Sequence, residues 1–320
     1  MAEQGIIGLH VVGRTAVETL DGIVRAEQRG IPAAWLTTGG VSPDGLTVIA
    51  AAAVQTRRIL LGTSITPTYP RHPLVTVQQT LAIAQLATGR FRLGVGPSHK
   101  PAMEGTFGIP FTRPLTHLRA YLDVLHRALH EGAVDRDEEP FRVHARLAAP
   151  VEVPVYASAL QEKSFELCGE VADGAITWMC PPAYVRDVAL PAFRRGAEKA
   201  GRPLPRLIVH VPVSVDEDAA AVREAARAQL GFYMRVPSYA RMTAAAGYPE
   251  AEASGMSDAH VDALVAHGDE LQVAERLREW LRLGANEIIA APVAAGPDRA
   301  AIVERTIALI AAMNTSRRGR

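Results

Sequence analysis

The chain holds 320 residues, with 34 Lys+Arg against 34 Asp+Glu and a formal net charge of +0 at pH 7. That balance excludes nucleic-acid binding by bulk charge, which needs a cationic excess to neutralise phosphates. With 48% hydrophobic and 21% charged residues a large core is available and extended disorder is excluded; with only 5% aromatics that core is mainly Ala, Val, Leu and Ile.

Met1-Ala2-Glu3-Gln4 lacks the basic-then-apolar start of a secretory signal, and no stretch approaches the ~18 uninterrupted apolar residues of a membrane span. The expected setting is therefore the cytoplasm, with no membrane partner. From there short apolar runs alternate with amphipathic segments. The runs are Ile6–Val12, Ala33–Thr37, Ile59–Ile65, Phe91–Gly96, Val153–Ala157, Gly174–Met179, Leu207–Val215 and Glu287–Ala291. They are continuous rather than alternating, as parallel strands buried on both faces read.

The segments between them carry helix signals. Thr15 with Glu18 fits a capping box ahead of Val17, Leu20 and Val24. Pro73 suits a first helical turn, Val77, Leu81 and Ala84 form one stripe, and Gly89 closes that helix. Eight strand–helix units predict an α/β protein: a single (β/α)8 TIM barrel over 1–320, with insertions near 97–114, 132–150 and 231–268. One residue resists the pattern. Pro212 interrupts the seventh run, so that strand is expected to stop near Val211 or to bulge.

A (β/α)8 barrel places its chemistry at the C-terminal ends of the strands. Here those ends are His10, Thr37-Thr38-Gly39-Gly40, Thr63-Ser64-Ile65-Thr66, Gly96-Pro97-Ser98-His99-Lys100 and Ala157-Ser158-Ala159. Small and hydroxyl-bearing residues of this kind suit a flat ligand lying close to backbone better than a metal cage. Competing motifs are incomplete. Gly94-Val95-Gly96 has His99 where a dinucleotide fingerprint needs a third glycine, and no Gly-x-Ser-x-Gly elbow, Walker loop or His-Glu-x-x-His occurs. Cys168 and Cys180 cannot alone make a zinc site. His126 and His130 share a helical spacing with no third ligand beside them, so the expectation is a solvated flank and no metal.

The run from Arg58 to Pro73, the Gln78-Gln79 helix, Gly89 to Gly96 and the block Gly169-Glu170-Val171-Ala172-Asp173-Gly174-Ala175 resemble the bacterial luciferase-like superfamily over essentially the whole chain. The pattern is most similar to the branch using the deazaflavin coenzyme F420. That resemblance implies a homodimeric barrel with the cofactor across the strand ends and a non-proline cis peptide, here joining Ser64 and Ile65. Carried over by position, it implies cofactor contacts from Thr38, Ser64, Ile65, Thr66, Gly96, Pro97, Ser98, Ala157, Ser158, Ala159, Leu160 and Met179. Amides from Ser158 to Leu160 would hold the phosphate.

Alcohol and sugar-phosphate dehydrogenases of the branch carry Asp-His where this chain has Thr38-Gly39, and a glutamate where it has His99. The resemblance therefore implies hydride transfer between the deazaflavin C5 and a small organic substrate, by reduction of an activated C=C or C=N bond rather than alcohol oxidation. His99 is the candidate catalytic residue, and His10, Trp178 and Tyr233 are candidate substrate contacts. The segment 231–268, with Phe232, Tyr239 and Met242, is the candidate cover. Two alternatives stand beside this reading: an FMN-dependent monooxygenase of the same superfamily, and a non-catalytic barrel that binds flavin or a partner.

Overall fold

The computed structural model describes residues 5–318; the opening Met1–Gln4 and the last two residues of the basic tail lie outside them. In chain order the strands are β1 (Ile6–His10), β2 (Ala33–Leu36), β3 (Leu60–Thr63), β4 (Thr66–Pro67), β5 (Phe91–Gly96) and β6 (Ala133–Arg136). They continue with β7 (Val143–Arg146), β8 (Val155–Ser158), β9 (Gly174–Trp178), β10 (Arg206–Val215), β11 (Ala266–Gly268) and β12 (Glu287–Pro292). Eight of them, β1, β2, β3, β5, β8, β9, β10 and β12, pair in parallel, and β12 returns to β1 to close a barrel. Each coincides with one of the eight apolar runs, because both faces of such a strand are buried.

Alternation along the strands sorts two cores. Ala33, Trp35, Tyr156, Ile176, Ile208 and Ile289 point to the barrel axis and pack with Ile6, Leu60 and Ile65. The residues between them, such as Ala34, Leu36, Leu61, Leu93 and Val209, pack outward against the helices. Trp35 is wholly buried, and Gly62 makes its space: a Cβ there would sit 2.4 Å from the indole. Below Trp35, Arg92 and Glu287 pair inside the barrel, and Trp35 Nε1 donates to Glu287 Oε1 at 2.7 Å.

The Thr15 cap forms as its sequence suggests, with Oγ1 accepting from the amide of Glu18 at 3.1 Å. The Glu18 carboxylate turns instead to the amide of Arg14, at 2.8 Å. Strand β10 corrects the expectation at Pro212: it neither stops nor bulges but runs on to Val215. The carbonyls of Leu207 and Val213 accept from Asn286 and Val293, so odd-numbered residues bond toward β12. Pro212 turns its missing donor the other way. There pairing with β9 has ended at His210 and pairing with β11 begins only at Val213. The proline falls between the two ladders.

The extra segments have structures of their own. Residues 97–114 hold the short helix Lys100–Gly105 and a loop; 132–150 hold the antiparallel hairpin β6–β7. Residues 231–268 form a 3-10 turn (Gly231–Arg235), the helices Pro237–Ala245, Ala251–Ser254 and Asp258–Leu264, and β11. Among the described residues no helix is long and apolar enough to cross a membrane.

Candidate active site

Alternation continued one step past the Trp35 layer places an inward ring at the C-terminal mouth: His10, Thr37, Ser64, Gly96, Ser158, Trp178, His210 and Ala291. Contacts join them. His10 Nε2 lies 3.1 Å from Thr37 Oγ1, and Thr37 Oγ1 donates to the Ser64 carbonyl at 2.7 Å. Because the threonine proton is committed to that carbonyl, His10 Nε2 carries the hydrogen and its Nδ1 keeps a lone pair. The His10 and His210 rings meet edge-on at 4.7 Å, and Trp178 packs on His210 at 4.4 Å. A Cβ on Gly96 would lie 2.2 Å from Ser158 Oγ, so any side chain there would displace the Ser158 hydroxyl.

The 231–268 segment comes over this ring. Tyr233 lies 5.9 Å from Trp178 and 4.7 Å from Tyr239, while His99 meets the edges of Tyr233 at 5.9 Å and Tyr239 at 5.3 Å. Gln161 Nε2 ties the cover to the barrel by donating to the Ser238 carbonyl at 3.0 Å. His99 occupies the N-cap position of its helix, yet its side chain makes no capping bond, so the ring is left to the cup. Burial pushes His10 down to about 4, lowers His99, and, with the neighbouring His10, lowers His210 further. All three imidazoles are thus neutral at pH 7, and no carboxylate belongs to this connected set.

The expected cofactor residues divide. Ser64, Ile65, Thr66, Gly96, Pro97, Ser98 and Ser158 come together at the mouth, and the peptide joining Ser64 and Ile65 is cis. Ser64 Oγ and Thr66 Oγ1 are buried with no partner. Ser98 (φ 63) and Met179 (φ 60) are left-handed non-glycine residues at the ends of β5 and β9. Such conformations cost about 1–2 kcal/mol and cluster at functional sites.

Others are placed differently. Thr38 Oγ1 accepts from the amide of Gly45, at 3.1 Å, and Thr37 takes the inward position. Ala157 and Ala159 pack in the outer core, and so does the wholly enclosed Met179. Nor are the amides expected to hold a phosphate free. Ala159 N donates to Ile176 O at 3.0 Å, and Leu160 N and Gln161 N donate to Ser164 Oγ at 3.0 and 2.9 Å. Open donors at this helix start lie one turn on, at Glu162 and Lys163, which have no intrahelical acceptor.

His210 was not foreseen, since it stands inside an apolar run. Its parity with Ile208 was the available signal: if Ile208 faces the axis, His210 faces the mouth. Lys100 lies outside the cup, 67% exposed and 3.8 Å from Glu104. At the opposite end of the barrel a cavity of about 660 Å³ is lined by Leu60, Thr88, Arg92, Pro154, Tyr156 and Arg206. Its one interior cation, Arg92, is committed to Glu287.

A profile of the luciferase-like monooxygenase family matches residues 7–287. The 5,10-methylenetetrahydromethanopterin reductase of Methanopyrus kandleri is 27% identical over 316 residues, covering 87% of this chain and 89% of its own length. The F420-dependent glucose-6-phosphate dehydrogenase of Nakamurella multipartita is 32% identical over 222 residues, 63% of this chain and 64% of its own length. A solved F420-dependent secondary alcohol dehydrogenase, in complex with an F420-acetone adduct, superposes with a TM-score of 0.81 at 20% identity. It covers 97% of this chain and 98% of that one, a likeness of fold.

Proposed function

The chain belongs to the luciferase-like monooxygenase family, and from that premise we propose an F420-dependent oxidoreductase that reduces an activated C=C or C=N bond of a small organic substrate. The observation that carries this reading is the uncharged aromatic and imidazole cup closed over hydroxyl-bearing strand ends. The relative named as F420-dependent supports the cofactor.

The residues present fit a deazaflavin. The partnerless hydroxyls of Ser64 and Thr66 can bond the polar edge of a ring, the Gly96–Ser158 contact allows close approach to backbone, and Glu162 and Lys163 offer amides to an anion. When bound, that cofactor supplies hydride exchange at its C5. The chain does the rest. Tyr233, Tyr239 and Trp178 exclude water from the mouth, which strengthens every polar contact inside it. Thr37 fixes the His10 ring so that Nδ1 faces away from the threonine as an acceptor. His99, free of any cap, holds or passes a proton at its imidazole nitrogens. An alcohol oxidation needs a base to take the hydroxyl proton. Here β2 ends in threonines, and the nearby imidazoles are weak bases because burial lowers them.

Titration of the purified protein with F420 and with FMN, followed by absorbance and fluorescence, is the test. Saturable F420 binding weakened by Ser64→Ala is the expected result. Binding of FMN with no binding of F420 would replace this reading with an FMN-dependent monooxygenase. Binding of neither would leave a non-catalytic barrel.

A further inference from the structure

His126 and His130 do not form the solvated flank their spacing suggested. They end the helix Pro114–His130, and the fold brings Asp173, in the link to β9, beside them. One ligand atom from each residue lies within 4.8 Å of the other two. The two Nδ1 atoms are 3.1 Å apart. His130 Nε2 lies 2.9 Å from the Val153 carbonyl, and a carbonyl only accepts, so that nitrogen carries the hydrogen. The Nδ1 of neutral His130 is therefore a bare lone pair, aimed at His126. A single proton, on His126 Nδ1, fills the space between the rings. His126 Nε2 is left buried with no partner.

Asp173 is equally fixed. Its Oδ2 accepts from the amide of Val155 at 2.7 Å, and Oδ1 lies 3.8 Å from Arg202. His130 and Asp173 are thus each held by a backbone group behind them, the supporting arrangement that orients metal ligands.

The geometry points to a divalent metal site formed by His126, His130 and Asp173, for an ion of the zinc class, with water in the fourth position. Nitrogen ligands on a tetrahedral ion with bonds of ~2.0–2.1 Å stand about 3.3 Å apart, close to the spacing already present. Two imidazoles with one carboxylate select zinc-like ions over calcium or magnesium, which prefer oxygen. The helix C-terminus adds negative potential favourable to a cation. On binding, the ion replaces the proton between the rings; that proton moves from Nδ1 of His126 to Nε2, the atom now without a partner, so none is lost. The ion would join the end of the helix Pro114–His130 to the link before β9, at the N-terminal face of the barrel, the face whose residues serve stability. It lies outside the active site and does not depend on the reading of that site.

The test uses untagged full-length protein stripped with a chelator, then titrated with Zn²⁺ against an indicator dye and with Co²⁺ by visible absorption. One Zn²⁺ per chain is expected, with a tetrahedral Co²⁺ band. A rise of about 4 °C in melting midpoint is expected at free Zn²⁺ about 100 times the dissociation constant. His126→Asn/His130→Asn should abolish all three. Asp173→Asn, which keeps an acceptor for the Val155 amide, should weaken Zn²⁺ at least ~10-fold. His144→Ala removes an exposed imidazole beside Asp135 and Asp137 and should change nothing. Stoichiometric binding that survives the double substitution, or that disappears with His144, would overturn the assignment. If the double variant does not fold, the wild-type spectrum decides: an octahedral Co²⁺ spectrum rejects the site.

Discussion

Glu287→Gln isolates the charge at the centre of the barrel. Glu287 is fully buried and Arg92 is 7% exposed; the guanidinium bonds both carboxylate oxygens, one contact at 3.0 Å, and stacks 4.3 Å from the centre of the Trp35 ring. The glutamine keeps an acceptor for Trp35 Nε1 but leaves Arg92 with no counter-charge, and Arg92 Nε is already without a partner. Breaking a buried pair by removing one member costs about 3–5 kcal/mol. With an unfolding entropy of about 2.1 cal/mol/K per residue, a 320-residue chain shifts by about 1 °C per ~0.7 kcal/mol. The expected fall in melting midpoint is thus about 4–7 °C, read by calorimetry at pH 7.5. Arg92→Met/Glu287→Gln should recover most of it, since the unpaired charge is then gone. A single variant melting within about 1 °C of wild type would refute the argument, because it would mean that water or relaxation satisfies Arg92.

Three further outcomes follow from the same structure. His99→Ala should leave F420 affinity unchanged and slow turnover about 100-fold, the low end for general acid–base help. Since burial lowers His99, its proton-donating share of turnover should grow as pH falls below ~6.5 and be absent from the variant's initial rates. Ser64→Ala removes a buried hydroxyl with no partner, so it should leave the free protein as stable or more so while weakening cofactor affinity up to about 10-fold; equal affinity in a titration would remove Ser64 from the site. His260 is wholly buried, stacked 4.6 Å from Tyr248 with neither nitrogen bonded, and burial pushes it down to about 4. The unfolded chain therefore binds the extra proton between pH ~6.5 and ~4, so stability falls with pH through that window and His260→Phe should regain about 2 kcal/mol at pH 5 in denaturant melts.

How much of this was legible in the sequence follows from how each feature is encoded. The barrel strands are written as uninterrupted apolar runs because each is covered by side chains within and helices without. The hairpin β6–β7 escaped notice because its strands are four residues each and bury only Val134 and Val143, too few to mark a strand pattern. Asp173 escaped as a partner for His126 and His130 for a different reason. It stands 43 positions beyond His130, and only closure of the sheet brings β8 and β9 beneath the end of that helix.

The mouth of the barrel shows where sequence reading and physical reasoning can be joined more tightly. The strand ends taken as candidates include His10, Ser64, Gly96 and Ser158, which face the mouth, and also Thr38 and Ala157, which face away. Parity removes both. Counting by twos from Trp35 reaches Thr37, from Ile176 reaches Trp178 and from Ile208 reaches His210, because successive residues of a strand alternate between axis and helix layer. The rule needs one anchor of known direction in each strand. A large buried residue flanked by small ones on adjacent strands, as Trp35 is by Gly8 and Gly62, provides it, since the crowded interior of a barrel needs such space. His210 then stands out as an imidazole facing a ring of hydroxyls, glycine and indole, and its pairing with His10 makes the site's neutral electrostatics a property of the strands themselves rather than of the cover above them.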